Sequence, residues 1–559
     1  MTEYYDLGTH HRKVSTDHPE AQTWFDRGLV WIYGFDLEMG KRCFKQAIAL
    51  DDSCAMFYWG LAYSCGYYYN KPWSRMQKDE LIESLQSTYH ATREALARVG
   101  TATPVEAALI RALAARYQSP KPVEDQDYHH WDDDYAAQMR MVYENYSSDN
   151  DVCAIYAEGL MTRTPWALWE LRSGKPAQGA STLEAIEVLE SAMKRIEETG
   201  ATPHPGILHM YIHVMEMSPT PERALRACDA LRTLVPGAGH LGHMPSHIDI
   251  RCGNYYDAVE ANTRAIEADR VYLQKEGAMN FHTLSRIHNY HFKLYAALFL
   301  GQFKTALEAA EELEATTPEA LLRIESPAMA DWMEAYIGMQ AHVYIRFGKW
   351  QEIIDHPLPD DAELYCVTTA IWHYAKTVAY AASGEVPLAE SQRELFYAAV
   401  KKVPETRYLF NNTCLDVLKV AEQMLNGEVE YRKQNYARAF EYLRAAVMLD
   451  DSLKYDEPWA WMQPARHALG ALLLEQDQVE EAKQVYMADL GLSDTLVSTS
   501  QHPDNLWSLH GYVECLERLG QAAEAKQMRV RLNKAKARAD IAVEASCFCR
   551  LQHTCCGVD

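Results

Sequence analysis

AQTWFDRGLVWIYGFDLEMGKRCFKQAIALDD, residues 21–52, decides the fold. Its apolar residues recur at i, i+3, i+4 and i+7, the period of an amphipathic helix. Trp24, Gly28, Trp31, Phe44 and Ala47 fall at places 4, 8, 11, 24 and 27 of a helix-turn-helix unit of about 34 residues. The pattern restarts 34 residues on with Tyr58, Leu61 and Ala62. Towards the other end, Gly470, Ala482 and Tyr486 occupy places 8, 20 and 24 of one unit, and Trp507, Gly511 and Ala523 places 4, 8 and 20 of another. Helical periodicity runs almost throughout, with Gly or Pro between segments and no sustained two-residue alternation.

This register resembles the tetratricopeptide repeat family over most of residues 20–540, with insertions. The resemblance implies an all-α fold: antiparallel helix pairs stacked into a right-handed superhelix, an α-solenoid. It also implies that the first helix of each pair lines a concave face, where places 2, 5, 9, 12 and 13 meet the ligand. The expected organisation is an N-terminal segment 1–20, a solenoid 21–545 and a cysteine-rich tail 546–559. The chain is also similar to a group of large bacterial and fungal repeat proteins with a histidine-rich centre and a C-x-C end. That likeness implies a fold and no chemistry.

Composition narrows the function classes. A net charge of −24 over 559 residues argues against nucleic acid and anionic membrane as partners, since both are bound by clustered Lys and Arg. Apolar runs such as LYAALFLG (294–301) are too short to span a bilayer. The first 15 residues lack the apolar core of a signal peptide. Thirteen cysteines, an odd number mostly scattered through helices, fit reduced thiols and a cytoplasmic location.

Nine of the 22 histidines lie between residues 204 and 291. Anchored on Ala224, the register puts His209 and His213 at places 5 and 9. Anchored on Ala258, it puts His240, His243 and His247 at places 2, 5 and 9. Anchored on Ala306, it puts His288, His291 and Tyr295 at places 2, 5 and 9. A further unit places His342 at 9. Two irregularities interrupt the pattern. Ala258 and Ala306 are 48 residues apart, which implies an insertion of about 14 residues containing His282. Pro245 would fall inside a first helix, so the helix is expected to begin there, with the Gly-rich stretch 236–244 delivering His240 and His243 from a loop.

Pairs at i, i+4 (His209, His213) and i, i+3 (His288, His291) put two imidazoles on one helix face, a chelating arrangement. Few carboxylates interleave, so magnesium and calcium are disfavoured and imidazole-loving transition metals favoured. The expected ligands are His209, His213, His240, His243, His247, His288 and His291, with copper ahead of iron and zinc. The function expected is a metal-dependent oxidoreductase acting on a small molecule, with Glu158 and Tyr295 managing protons. Cys547 and Cys549, next to a basic helix, form a C-x-C pair suited to redox or soft-metal chemistry. Two other readings stand beside it: a non-catalytic scaffold gripping a partner protein's peptide, and copper storage or delivery through the tail, including Cys555 and Cys556. No nucleophile elbow, phosphate-binding glycine loop or HExxH motif occurs.

Overall fold

The computed structural model describes residues 4–550; His553, Cys555 and Cys556 lie outside the described residues. The stretch 21–52 forms helices Pro19–Tyr33 and Leu37–Leu50. The Asp36 carboxylate caps the second helix, accepting the Met39 N–H at 3.0 Å. The pair packs closely because place 8 is glycine: a Cβ on Gly28 would lie 2.8 Å from the Phe44 ring, and one on Gly60, at place 6 of the next unit, 2.3 Å from it. One aromatic ring therefore fills the space left by glycines on the first helices of two successive hairpins. The same device recurs near the other end, where Tyr486 would lie 2.5 Å from a Cβ on Gly470 and 2.2 Å from one on Gly511. The register seen in sequence is this packing rule, and the fold is an all-α, tetratricopeptide-like array of helical hairpins.

The chain divides into two compact units, Met1–Ile248 with Glu267–Asp269, and Asp249–Ile266 with Arg270–Asp559. In the first, hairpins such as Pro104–Arg116 with Asp125–Tyr146 and Asn150–Met161 with Thr182–Thr199 lead to helix Pro205–Glu216. In the second, His282–Leu300 pairs with Phe303–Ala315, Ala465–Glu475 with Val479–Asp489, and Leu506–Arg518 with Ala522–Lys536. Among the described residues the named strands are two antiparallel pairs of two residues each, and no helix is long and apolar enough to cross a membrane.

Both irregularities have structural answers. A helix does begin at Pro245, running Pro245–Arg251, but His240 and His243 are not on a loop. They sit on a helix of their own, Gly239–His243. Met244 keeps helical dihedrals (φ −49°, ψ −38°), so the missing N–H of Pro245 costs one hydrogen bond without turning the chain away. The extra residues before Ala306 lengthen helix Tyr255–Glu276 to 22 residues. The next helix opens at His282, whose ring stacks on Tyr272 at 3.7 Å.

Candidate metal centre

Helix Pro205–Glu216, PGILHMYIHVME, is apolar on nearly every face, and all twelve of its residues are buried, as expected for a helix enclosed on all sides. His204 is its N-cap: the ring Nδ1 accepts the Ile207 N–H at 3.2 Å, and Nε2 meets Asp151 at 3.0 Å. Asp151 also receives His10 (3.1 Å), Arg12 (2.9 Å) and the Tyr33 hydroxyl (2.7 Å). Both His204 nitrogens are thus engaged in holding the helix start.

His209 and His213 sit one turn apart inside the protein, both fully buried. The His209 Nδ1 lies 2.5 Å from the carbonyl oxygen of Tyr33. A carbonyl only accepts, so Nδ1 carries the proton and Nε2 keeps its lone pair. Burial, with His213 and His240 adding to it, holds the His209 imidazole well below its usual pKa and so neutral. His213 Nδ1 meets Glu216 Oε1 at 3.0 Å, and His247 Nδ1 meets the other oxygen, Oε2, at 2.8 Å. One buried carboxylate thereby orients two imidazoles and leaves both Nε2 atoms to face elsewhere, the outer hydrogen bonding that metal-bound histidines characteristically have.

The Nε2 atoms converge. His240 Nε2 is 3.2 Å from His209 Nε2, and ligand atoms of His209, His213 and His240 all lie within 4.8 Å of one another. Two imidazole nitrogens about 2.0–2.1 Å from one ion stand roughly 2.9–3.4 Å apart at bond angles of about 90–110°. The His209–His240 spacing falls in that window and is equally a hydrogen-bond length. His243 and His247 are closer, Nε2 to Nε2 2.7 Å, which is a hydrogen-bond length.

Aromatic rings close the cluster. Phe35 lies 4.4 Å from the His209 ring and stacks on His213 (5.6 Å) and His240 (5.7 Å); Tyr69 and Trp166 flank His213 at 5.0 and 6.1 Å. Phe35 has φ +58° at the turn between its helices, and glycine fills the like position at Gly301 (φ +73°) and Gly348 (φ +63°). A phenylalanine there costs on the order of 1 kcal/mol of backbone strain, held in place by a ring that lies on three histidines. Phe35 also lines, with Tyr33, Tyr63 and Glu158, a cavity of ≈ 20 Å³. That is room for about one water. Glu158 itself accepts from Arg116 (2.6 and 2.9 Å) and from the Tyr63 hydroxyl (2.7 Å), so it serves a buried ion pair.

His288 and His291 belong to the second unit. His288 stacks on Phe410 at 5.7 Å. His291 Nε2 touches Met462 Sδ at 2.8 Å, and burial, with His342 adding, pulls its pKa down to about 3. The Tyr295 hydroxyl meets His502 Nε2 at 3.0 Å. Cys547 and Cys549 lie together in a separate cavity of the same unit.

Sequence reasoning missed Glu216, Phe35 and the carbonyl of Tyr33. Glu216 had a signal, since it follows His213 by three residues on one helix face. Phe35 had a fainter one, a bulky residue at a turn position that glycine takes at Gly301 and Gly348 and polar residues take at Gln434 and Asp477. The Tyr33 carbonyl had none.

No protein-family model matches the chain, and no curated protein matches it. Among solved structures, the crystal structure of Ypp1 is similar over 93% of this chain and 81% of its own (TM-score 0.43, 10% identity). Yeast Tom70 is similar over 94% and 99% (TM-score 0.28, 12% identity), and the APC/C Cut9–Hcn1 tetramer over 94% and 88% (TM-score 0.27, 12% identity). The fold assignment rests on the hairpin packing above.

Proposed function

We propose that the first unit binds a transition-metal ion through His209, His213 and His240, with His243 and His247 as further ligands once their mutual hydrogen bond opens. The chain would then be a metal-dependent oxidoreductase acting on a small molecule, with copper ahead of iron or zinc. One observation carries this reading: three imidazoles have Nδ1 fixed by Tyr33 or Glu216, while the Nε2 atoms of His209 and His240 stand at ion-sharing distance. The three first ligands are imidazoles, which suit copper, and no cysteine is among them. The eleven described cysteines are free thiols, which supports a reducing compartment such as the cytoplasm.

The test is elemental analysis of protein expressed without a histidine tag in metal-replete medium, followed by paramagnetic resonance of any copper(II) for nitrogen coupling. A fixed stoichiometry with imidazole coupling is expected. Metal content at background would sink the proposal and leave a scaffold for a protein partner as the reading to pursue.

A further inference from the structure

The last described residues fold back into the second unit at four points. The hydroxyls of Tyr486 and Ser546 share a hydrogen bond of 2.6 Å. Phe548 packs edge-on against Trp507 and over Gly348, where a Cβ would lie 2.9 Å from it. Arg432 donates to the Cys549 carbonyl, and Arg550 forks onto Glu514 at 2.7 and 2.9 Å. These anchors set Cys547 and Cys549 in the wall of a cavity of ≈ 40 Å³ that Arg346, Glu428 and His467 also line.

Arg346 is the anomaly. It is 3% exposed and makes no ion pair among the described residues. Its Nη2 donates to His467 Nδ1 at 2.8 Å, its guanidinium lies 4.7 Å over the Trp507 ring, and its Nε has no hydrogen-bond partner. His467 in turn donates from Nε2 to Asp489 at 2.9 Å, and Asp489 is further held by His502 and Ser508. This chain fixes the guanidinium without neutralising it, because the imidazole stands between the two charges. A buried guanidinium calls for an anion. The acid on the cavity wall, Glu428, is taken by Arg432 at 2.7 Å, which leaves sulfur. The Cys549 thiol hydrogen-bonded to the Cys547 sulfur, with Arg346 beyond, holds the Cys547 thiol below its ordinary pKa, and the same bond with burial raises Cys549. Cys547 is partly exposed and Cys549 buried.

We propose that Cys547 and Cys549 form a redox dithiol that reduces small hydroperoxides, with Arg346 as counter-ion of the attacking Cys547 thiolate. The cavity sets the substrate class, since it admits a molecule about the size of one or two waters. Cys547 sulfur attacks the terminal peroxide oxygen. The S–O bond forms as the O–O bond breaks, Cys547 is oxidised by two electrons to the sulfenic acid, and the alkoxide or hydroxide leaves, taking up the proton that Cys547 had lost on ionising. Cys549 then gives up its proton and attacks the Cys547 sulfur. The S–S bond forms, the S–O bond breaks, and hydroxide leaves with that proton as water. The sum is hydroperoxide plus two thiols giving disulfide, alcohol (or water) and water; a small dithiol reductant returns the pair to its starting state. His467 and Asp489 position Arg346 and do not touch the substrate. This proposal is independent of the metal centre in the first unit.

The full-length reduced protein is treated with one equivalent of hydrogen peroxide, quenched by thiol alkylation and mapped by trypsin and mass spectrometry. Cleavage after Arg538 and Arg550 yields one peptide that contains Cys547 and Cys549 and no other cysteine. That peptide is expected to lose two hydrogen atoms faster than any other cysteine peptide is modified. In Cys549→Ser it should instead gain one oxygen, trappable at Cys547 by a sulfenic-acid reagent. Arg346→Met should slow Cys547 oxidation at least about tenfold. The double variant His209→Ala/His213→Ala should leave the rate unchanged, which separates this proposal from the metal reading. Oxidation of Cys547 no faster than that of the other cysteines, or an unchanged rate in a folded Arg346→Met protein, overturns it. Should Arg346→Met fail to fold, the absence of trapped sulfenic acid in Cys549→Ser overturns it alone.

Discussion

The Nε2 of His209 stands 3.2 Å from the Nε2 of His240, while the opposite nitrogen of His209 is pinned 2.5 Å from the Tyr33 carbonyl. With the His209 proton on Nδ1, this contact is a hydrogen bond from His240 Nε2–H to the His209 lone pair, and under the proposed reading a metal ion would take that proton's place. Replacing His209 and His213 with alanine is therefore expected to reduce bound metal to background, with helical circular dichroism unchanged. Inductively coupled plasma analysis beside a far-ultraviolet spectrum decides it; full metal retention in the folded variant would contradict the ligand assignment.

Glu216 binds no ion in this arrangement, yet it aims two imidazoles. Glu216→Gln keeps the volume and one acceptor but loses the charge and the symmetric grip. Metal affinity should fall about 10–100-fold, read by competition with a chromogenic chelator. An unchanged affinity would show that the carboxylate is structural only.

Glu158 and Arg116 are 4% and 0% exposed and bonded through two hydrogen bonds. Removing one charge leaves the other buried and unpaired, which costs about 3–5 kcal/mol. Glu158→Gln should therefore lower the denaturant midpoint sharply while leaving metal stoichiometry intact. A stable variant that loses metal would restore Glu158 to the site.

Stability should fall in mild acid. Burial lowers His342 and His467 from 6.5 to about 4, and His291, with His342 adding, to about 3. Their folded pKa values lie below the unfolded ones, so the unfolded chain binds the extra protons. Stability is complete above about pH 6.5 and is lost as pH drops below it, by about 2 kcal/mol per histidine at pH 5. Urea midpoints at pH 7 and pH 5 measure this, and His342→Gln should flatten the slope by roughly one proton. A pH-independent midpoint would refute it.

The repeat was legible because its causes are local or nearly so. A helix is set by a 3.6-residue period, and a hairpin by glycines such as Gly28 and Gly470 placed opposite one aromatic ring. The i, i+4 pair His209 and His213 was legible for the same reason. His204 looked like its neighbours in sequence, yet its ring caps a helix and binds Asp151, because Pro205 makes it the first residue outside the helix. Gly239 and Gly242, ahead of Pro245, suggest a loop around His240 and His243, but burial of Leu241 overrides their weak propensity and the segment is helical.

Sequence alone thus determined the helical hairpins, the register and a concentration of imidazoles, since each depends on spacing within a few turns of chain. Which ring nitrogen faces which neighbour was settled only by tertiary structure. The proton on His209 is placed by a carbonyl 176 residues away, and Arg346 is held by an imidazole 121 residues away. A ligand's direction and a thiol's charge are properties of the partners that folding brings into contact, and no spacing along the chain encodes them.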